Sequence, residues 1–350
     1  MREFLTKLVT VGIILLVGLS NASAQETVHL GAIVPLSGEV SAIGNAVRNG
    51  MLMAKDDLPK AIQEKLVLHF EDDACKPINT VSAFRKLVNI QGVNLVVSLT
   101  SGASRPIGPL AETQKIPLLA MASDENIVMG RKYPMNFWVT PQMENRIFVP
   151  EIVKRGFKKV ARIYTTQSGV EAFVREFDKQ NAGQVEILLD EEYPVEIKDF
   201  KPFINKLSAH SEVEAVMIFL MPGQLGLFAK QARASGVKLP FFGGEFFSDA
   251  NEVKIANGAL NGTWYVDSGE PNSDFLERYK KRFPGASNYP AANGYDIVKL
   301  VGKAMEMGLS SREELNNFFH TFKDFTGMLG TYSATDDNRF TLPAAIKSVP

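Results

Sequence analysis

The chain has 350 residues, with 38 lysines and arginines against 39 aspartates and glutamates, and 45% of its residues are hydrophobic. That balance, with no long basic run, gives no support for nucleic-acid binding. A single cysteine, Cys75, excludes an intrachain disulfide, and the length exceeds what one hydrophobic core usually serves, so two lobes are expected.

The first 24 residues read as a targeting segment. Arg2 and Lys7 precede an apolar run from Leu8 to Leu19, which ends at Ala22-Ser23-Ala24. A positive start, an apolar core and a small-x-small site describe a cleaved signal peptide with Gln25 as the first mature residue. The run is shorter than the roughly 20 residues of a membrane span. No cysteine follows it to carry a lipid. The mature protein is expected outside the cytoplasm, where burial is the expected state of the lone Cys75 thiol.

From Val28 the pattern alternates strand and helix. Val28 to Val34 is an apolar strand, Gly44 to Asp57 has apolar residues at helical spacing, and Leu66, Leu68 and Phe70 alternate as a strand. Asn79 is placed to cap the helix holding Phe84 and Leu87. Asp72-Asp73, at a strand end, reads as a turn or cap rather than a metal pair.

Leu95 to Ser123 then gives strand, hydroxyl-rich turn, short helix around Pro106, strand from Ile116 to Ala120, and a second hydroxyl-rich turn. Parallel neighbours would bring Ser101, Ser104 and Ser123 to one carboxyl edge, the usual ligand position in open α/β sheets. There they serve either a negatively charged ligand group or as ordinary caps. Asn136 to Val139 reads as one more strand.

A second series follows. Helices at Glu144–Arg155, Val170–Gln180, Phe200–Ala209 and Leu225–Ser235 alternate with strands at Val160–Tyr164, Val185–Leu189, Ala215–Leu220 and Phe241–Phe242. The tail adds strand-like Thr263–Val266, helices at Asp274–Phe283, Ala291–Met307 and Leu315–Phe322, and a closing strand over Thr341–Val349. Two β-α series argue for an α/β fold of two similar doubly wound lobes with mainly parallel sheets. No phosphate loop, nucleophile elbow or zinc-protease motif occurs, and the four histidines are scattered, so an enzyme is not expected. Glu245, following Gly243-Gly244 at a strand end, is read either as a solvated loop carboxylate or as a group facing the cleft, suited to a ligand ammonium.

Pro35 to Gly44 (PLSGEVSAIG), Phe70 to Pro77 (FEDDACKP) and Lys115 to Ser123 (KIPLLAMAS) resemble the periplasmic solute-binding proteins of the leucine/isoleucine/valine type, the extracytoplasmic receptors of ABC importers. The resemblance runs from Val28 to about Asp337. It implies a clamp with a cleft between two lobes and three crossovers near Thr140, Asp267 and Phe340. Lobe one is then 25–140 with 268–340, and lobe two 141–267 with 341–350. It also implies a small-molecule ligand, membrane permease partners, a monomer and no cofactor.

Position by position, the resemblance sets Ser101 and Ser123 on a ligand carboxylate, and the Met121 carbonyl and Glu245 carboxylate on its ammonium. Ile43 lines the side-chain pocket from lobe one, and Ser168 and Met221 from lobe two. Branched-chain binders of this type have tyrosines at the positions matching Ile43, Ser168 and Phe219 to Met221, so a larger or less polar pocket is expected here. Thr100 stands where relatives pair a second cysteine with the equivalent of Cys75. The default ligand is a branched-chain or other aliphatic amino acid. An amide, an aromatic acid or another carboxylate is the alternative, as is a sensor serving a membrane receptor.

Overall fold

The computed structural model describes residues 26–349, so the expected signal peptide and its cleavage site lie outside the described residues. The first series runs β1 (Val28–Val34), α1 (Ser41–Asp56), α2 (Lys60–Gln63), β2 (Leu66–Asp72), α3 (Pro77–Asn89), β3 (Leu95–Leu99), α4 (Ser101–Ser104), α5 (Gly108–Gln114), β4 (Leu118–Met121) and β5 (Pro134–Asn136). These strands form one parallel sheet in the order β2-β1-β3-β4-β5.

The second series is α6 (Pro141–Lys154), β6 (Lys159–Thr165), α7 (Ser168–Asn181), β7 (Glu186–Tyr193), α8 (Lys201–Ala209), β8 (Ala215–Phe219), α9 (Leu225–Ala234), β9 (Phe241–Gly243), α10 (Ala250–Ala256) and β10 (Trp264–Ser268). The chain then returns to the first lobe for α11 (Ser273–Arg282), α12 (Ala291–Glu306), α13 (Arg312–Thr321) and the hairpin β11 (Phe325–Gly327) with β12 (Gly330–Tyr332). It ends in β13 (Ala344–Ser348). The second sheet has the order β13-β10-β9-β8-β6-β7, parallel except for β13, which runs antiparallel to β10.

Both sheets are covered on both faces because side chains alternate along a strand. Leu30, Ala32 and Val34 of β1 pack with α1 and α12, while Ile33 turns to the opposite face, onto Phe84 and Leu87 of α3. In the second sheet Val216 and Ile218 of β8 meet α8 and α9, and Met217 and Phe219 meet α6 and α7. Three crossings join the lobes: Val139 to Phe148, Val266 to Phe275, and Leu342 to Ile346 each pass from one lobe's core to the other's.

Several local expectations change. Helix α3 opens on Pro77 rather than after Asn79, whose amide donates to the Asp73 carbonyl at 3.2 Å; a proline without an N–H suits that first position. Asp72 does hold a turn, accepting from the backbone N–H groups of Leu36 and Ala74. Of the strand expected at Asn136–Val139, only Asn136 is paired. Phe137, Trp138 and Val139 are buried where the chain leaves the sheet, and an apolar run does not distinguish the two. The helix around Pro106 breaks into α4, a 3-10 turn at Arg105–Ile107 and α5, with Pro106 and Pro109 unable to donate backbone hydrogen bonds. Cys75 is half-buried, not enclosed.

Candidate functional site

The carboxyl edges of the two sheets face each other across a cavity that leaves about 70 Å³ accessible to the centre of a water molecule. The first lobe supplies it with the ends of β3 and β4. Thr100, immediately after β3, has φ +71°, a backbone state that a β-branched residue rarely adopts. Its N–H donates to the Met121 carbonyl at 3.1 Å, locking the two strand ends together. That bend carries Ser101 into the second turn, where its hydroxyl oxygen accepts the N–H groups of Ser123 and Asp124, both at 3.2 Å. Ser101, Met121 and Ser123 therefore stand together on one wall with Ile43. Ser104 does not join them; it is buried and hydrogen-bonded to Ser98 at 2.7 Å.

The second lobe brings Met221 and Glu245 to the same cavity. Gly243 and Gly244 make Glu245's position possible. A Cβ on Gly243 would overlap the Ile218 carbonyl, and one on Gly244 would press on the Phe219 ring at 3.0 Å. Ser168 does not line the cavity. Gln167 takes the N-cap of α7, its side chain accepting from Gly169 and Val170 N–H, so Gln167, Gly169 and Val170 form the wall while the Ser168 hydroxyl is buried without a partner. Gly169 lies across the cleft from the serine turns: a Cβ there would stand 2.7 Å from Ser101 Oγ and 3.0 Å from Ser123 Oγ. The lobes meet at this point.

Aromatic surface comes from positions other than those compared with the family pattern. Trp138, Phe173, Phe246 and Tyr289 border the cavity alongside Phe219. Trp138 Nε1 donates to Glu245 Oε2 at 2.7 Å. Burial, with the charge of Asp267 adding to it, raises the Glu245 pKa to about 7 despite the hydrogen bond from Trp138. Glu144, on the first turn of α6, is a second cavity carboxyl; burial first, then Glu245 and Asp267, push its pKa well up. Asp267 is answered by Lys347 at 3.1 Å and Ser248 Oγ at 2.6 Å. Among the described residues the cavity wall contains no lysine, arginine or histidine.

Sequence reasoning missed Glu144, Trp138, Gln167, Gly169 and Tyr289. Thr140-Pro141 was a usable signal for Glu144, since a cap followed by proline starts a helix beside the crossover and points its first turn at the cleft. Tyr289 lies in an irregular segment with no comparable mark.

A family model described as periplasmic binding protein matches residues 27–349. A leucine-, isoleucine-, valine-, threonine- and alanine-binding protein of Pseudomonas aeruginosa is 25% identical over 332 residues, covering 89% of this chain and 87% of that one. The crystal structure of a leucine binding protein from Thermotoga maritima superposes with a TM-score of 0.86 at 19% identity, covering 92% of this chain and 95% of its own. A solute binding protein of an ABC transporter from Rhodopseudomonas palustris, in complex with 3,4-dihydroxy benzoic acid, gives 0.81 at 22% identity, with 93% of each chain covered. With two parallel-sheet lobes around one cleft and a family match along nearly its whole length, the chain belongs to the periplasmic binding protein family.

Proposed function

We propose that the protein is an extracytoplasmic receptor that captures a small amine-bearing solute between its lobes and delivers it to the permease of an ABC importer. The observation that carries this reading is the pairing of opposite chemistries across one cavity. Ser101 and Ser123 offer hydroxyls on one lobe, and Glu245 offers a carboxylate on the other, with no protein cation to neutralise it. A ligand carboxylate is received by the serine turns, and its ammonium by Glu245 and the free lone pair of the Met121 carbonyl. Ile43 and Met221 bound the side-chain end.

Binding begins on the serine turns, and rotation of 141–267 with 341–350 against 25–140 with 268–340 brings Glu245 over the solute. The ligand drives closure only by as much as it binds the closed form more tightly. Relatives named for leucine, isoleucine and valine make an amino acid the first class of candidate.

A thermal-shift screen over amino acids, amides, aromatic acids and short carboxylates tests the reading. A true ligand at a hundredfold excess over its Kd adds about 2.7 kcal/mol of stability. For a chain of this length that corresponds to a rise of about 4 °C in Tm. Hits confined to molecules with an amino group support the reading. Hits confined to acids without one contradict it.

A further inference from the structure

One acid in the cleft is left over when a single ammonium has been placed. Glu144 is 3% exposed, its carboxyl borders the cavity, and no group among the described residues is hydrogen-bonded to that carboxyl. Its neighbours do not relieve it. Glu245 already accepts from Trp138, and Asp267 is matched by Lys347, itself buried. The acidic pair Glu144 and Glu245 thus faces a space walled mainly by aliphatic and aromatic side chains, with Thr100, Ser101, Ser123 and Gln167 as its neutral polar members.

An unpartnered acid in an apolar wall is costly in either protonation state, because the ionised form lacks a counter-charge and the neutral form lacks a hydrogen-bond partner. The cost falls away when the occupant of the cavity supplies the partner. The aromatic groups Trp138, Phe173, Phe219 and Tyr289 border the same space, and the faces of such rings attract cations. They do nothing comparable for an anion.

We propose that the cleft takes a small solute carrying two basic nitrogens, a diamino acid or short diamine, with one nitrogen on Glu245 and the second on Glu144. This rests on the reading of the cleft as the solute site and narrows its ligand class. Glu144 then sets specificity. It favours solutes of net positive charge over aliphatic zwitterions and excludes carboxylates that lack an amine.

Calorimetric titration of the mature protein at pH 7.5 tests this with 2,4-diaminobutyrate, ornithine, lysine, putrescine, leucine and benzoate as probes. At least one diamino probe is expected to bind tenfold or more tighter than leucine, and benzoate not to bind. Glu144→Gln, which keeps the shape and removes the charge, is expected to weaken that diamino probe at least tenfold while changing leucine less than threefold. Glu144→Asp, which keeps the charge, should retain the order of preference, and unchanged circular dichroism would show both variants folded. Tighter binding of leucine than of every diamino probe overturns the inference and leaves the solute-receptor reading standing. Equal losses for both ligand types in Glu144→Gln also overturn it. Failure of all amino-bearing probes, with benzoate bound, overturns the amine-receptor reading and the inference together.

Discussion

With Glu245 as the proposed ammonium partner, ligand capture depends on pH. An ammonium pairs with the ionised carboxylate, while the ligand-free group, buried beside Asp267, titrates at about 7. Affinity for an amino acid should therefore rise about tenfold per pH unit below 7 and level off above it. Titration by intrinsic fluorescence would show the slope, since Trp138 donates to this carboxylate, and Glu245→Gln should flatten it. The same shift acts on the empty protein in the opposite sense. Because the folded pKa exceeds the ordinary 4.5, the folded state holds this proton more tightly, and its stabilising contribution is lost as pH rises from the unfolded value through about 7.

Thr100 offers a second test at this scale. Cys75 Sγ lies 3.5 Å from Thr100 Oγ1, so a thiol at position 100 would stand within reach of it. Thr100→Cys should oxidise to a disulfide and stabilise the protein by about 2–4 kcal/mol, read as a mass loss of about 2 Da and a higher Tm that reductant reverses. Glu245 was legible because two glycines at a strand end mark a place where the backbone turns out of a core. Glu144 was not, because one acid in a helical run looks like any solvated position until the opposite lobe covers it.

Among the elements, periodicity located the long helices and strands, because each buries one stripe or alternate residues against a sheet. Short pieces escaped it. Helix α2, helix α10 and the β11-β12 hairpin each span eight residues or fewer, too short for a period to register. Close packing between elements was equally hidden. Helices α1 and α12 approach so nearly that a Cβ on Gly50 would overlap the Ala291 carbonyl, and one on Gly294 would stand 2.6 Å from that of Val47. In an open helix Gly→Ala stabilises by about 1 kcal/mol. Here Gly50→Ala should instead destabilise by about 1–3 kcal/mol, the usual cost of overpacking, and lower Tm in a thermal melt.

Gly169 on α7 carries the corresponding prediction for the cleft. Gly169→Val should obstruct the closed arrangement most, because the added atoms meet the Ser101 and Ser123 hydroxyls of the other lobe, while within its own lobe the added Cβ stands 3.0 Å from the end of the flexible Gln167 side chain. An overpacking cost of about 1–3 kcal/mol in that form weakens binding about 5- to 150-fold. The melting temperature of the ligand-free protein should change little.

For the whole molecule, the two β-α series were readable as two lobes, and the resemblance implied how the chain weaves between them. Sequence alone did not reveal which atoms meet across the cleft, since contacts such as Gly169 with Ser101, or Lys198 with Glu39 at 3.2 Å, join segments far apart in the chain. That exposed ion pair contributes at most about 1 kcal/mol, and the hydrogen bond from Trp138 to Glu245 is a more buried polar link between the lobes.

The most direct test is a calorimetric titration of the wild type and Glu245→Gln with the tightest-binding amino acid of the screen and with the same acid lacking its α-amino group. The expected result is strong binding of the amino acid to the wild type, little or none of its deaminated counterpart, and a loss in Glu245→Gln that falls on the amino acid alone. Equal binding of the two ligands by the wild type, or equal losses in the variant, would contradict an amine receptor built around Glu245.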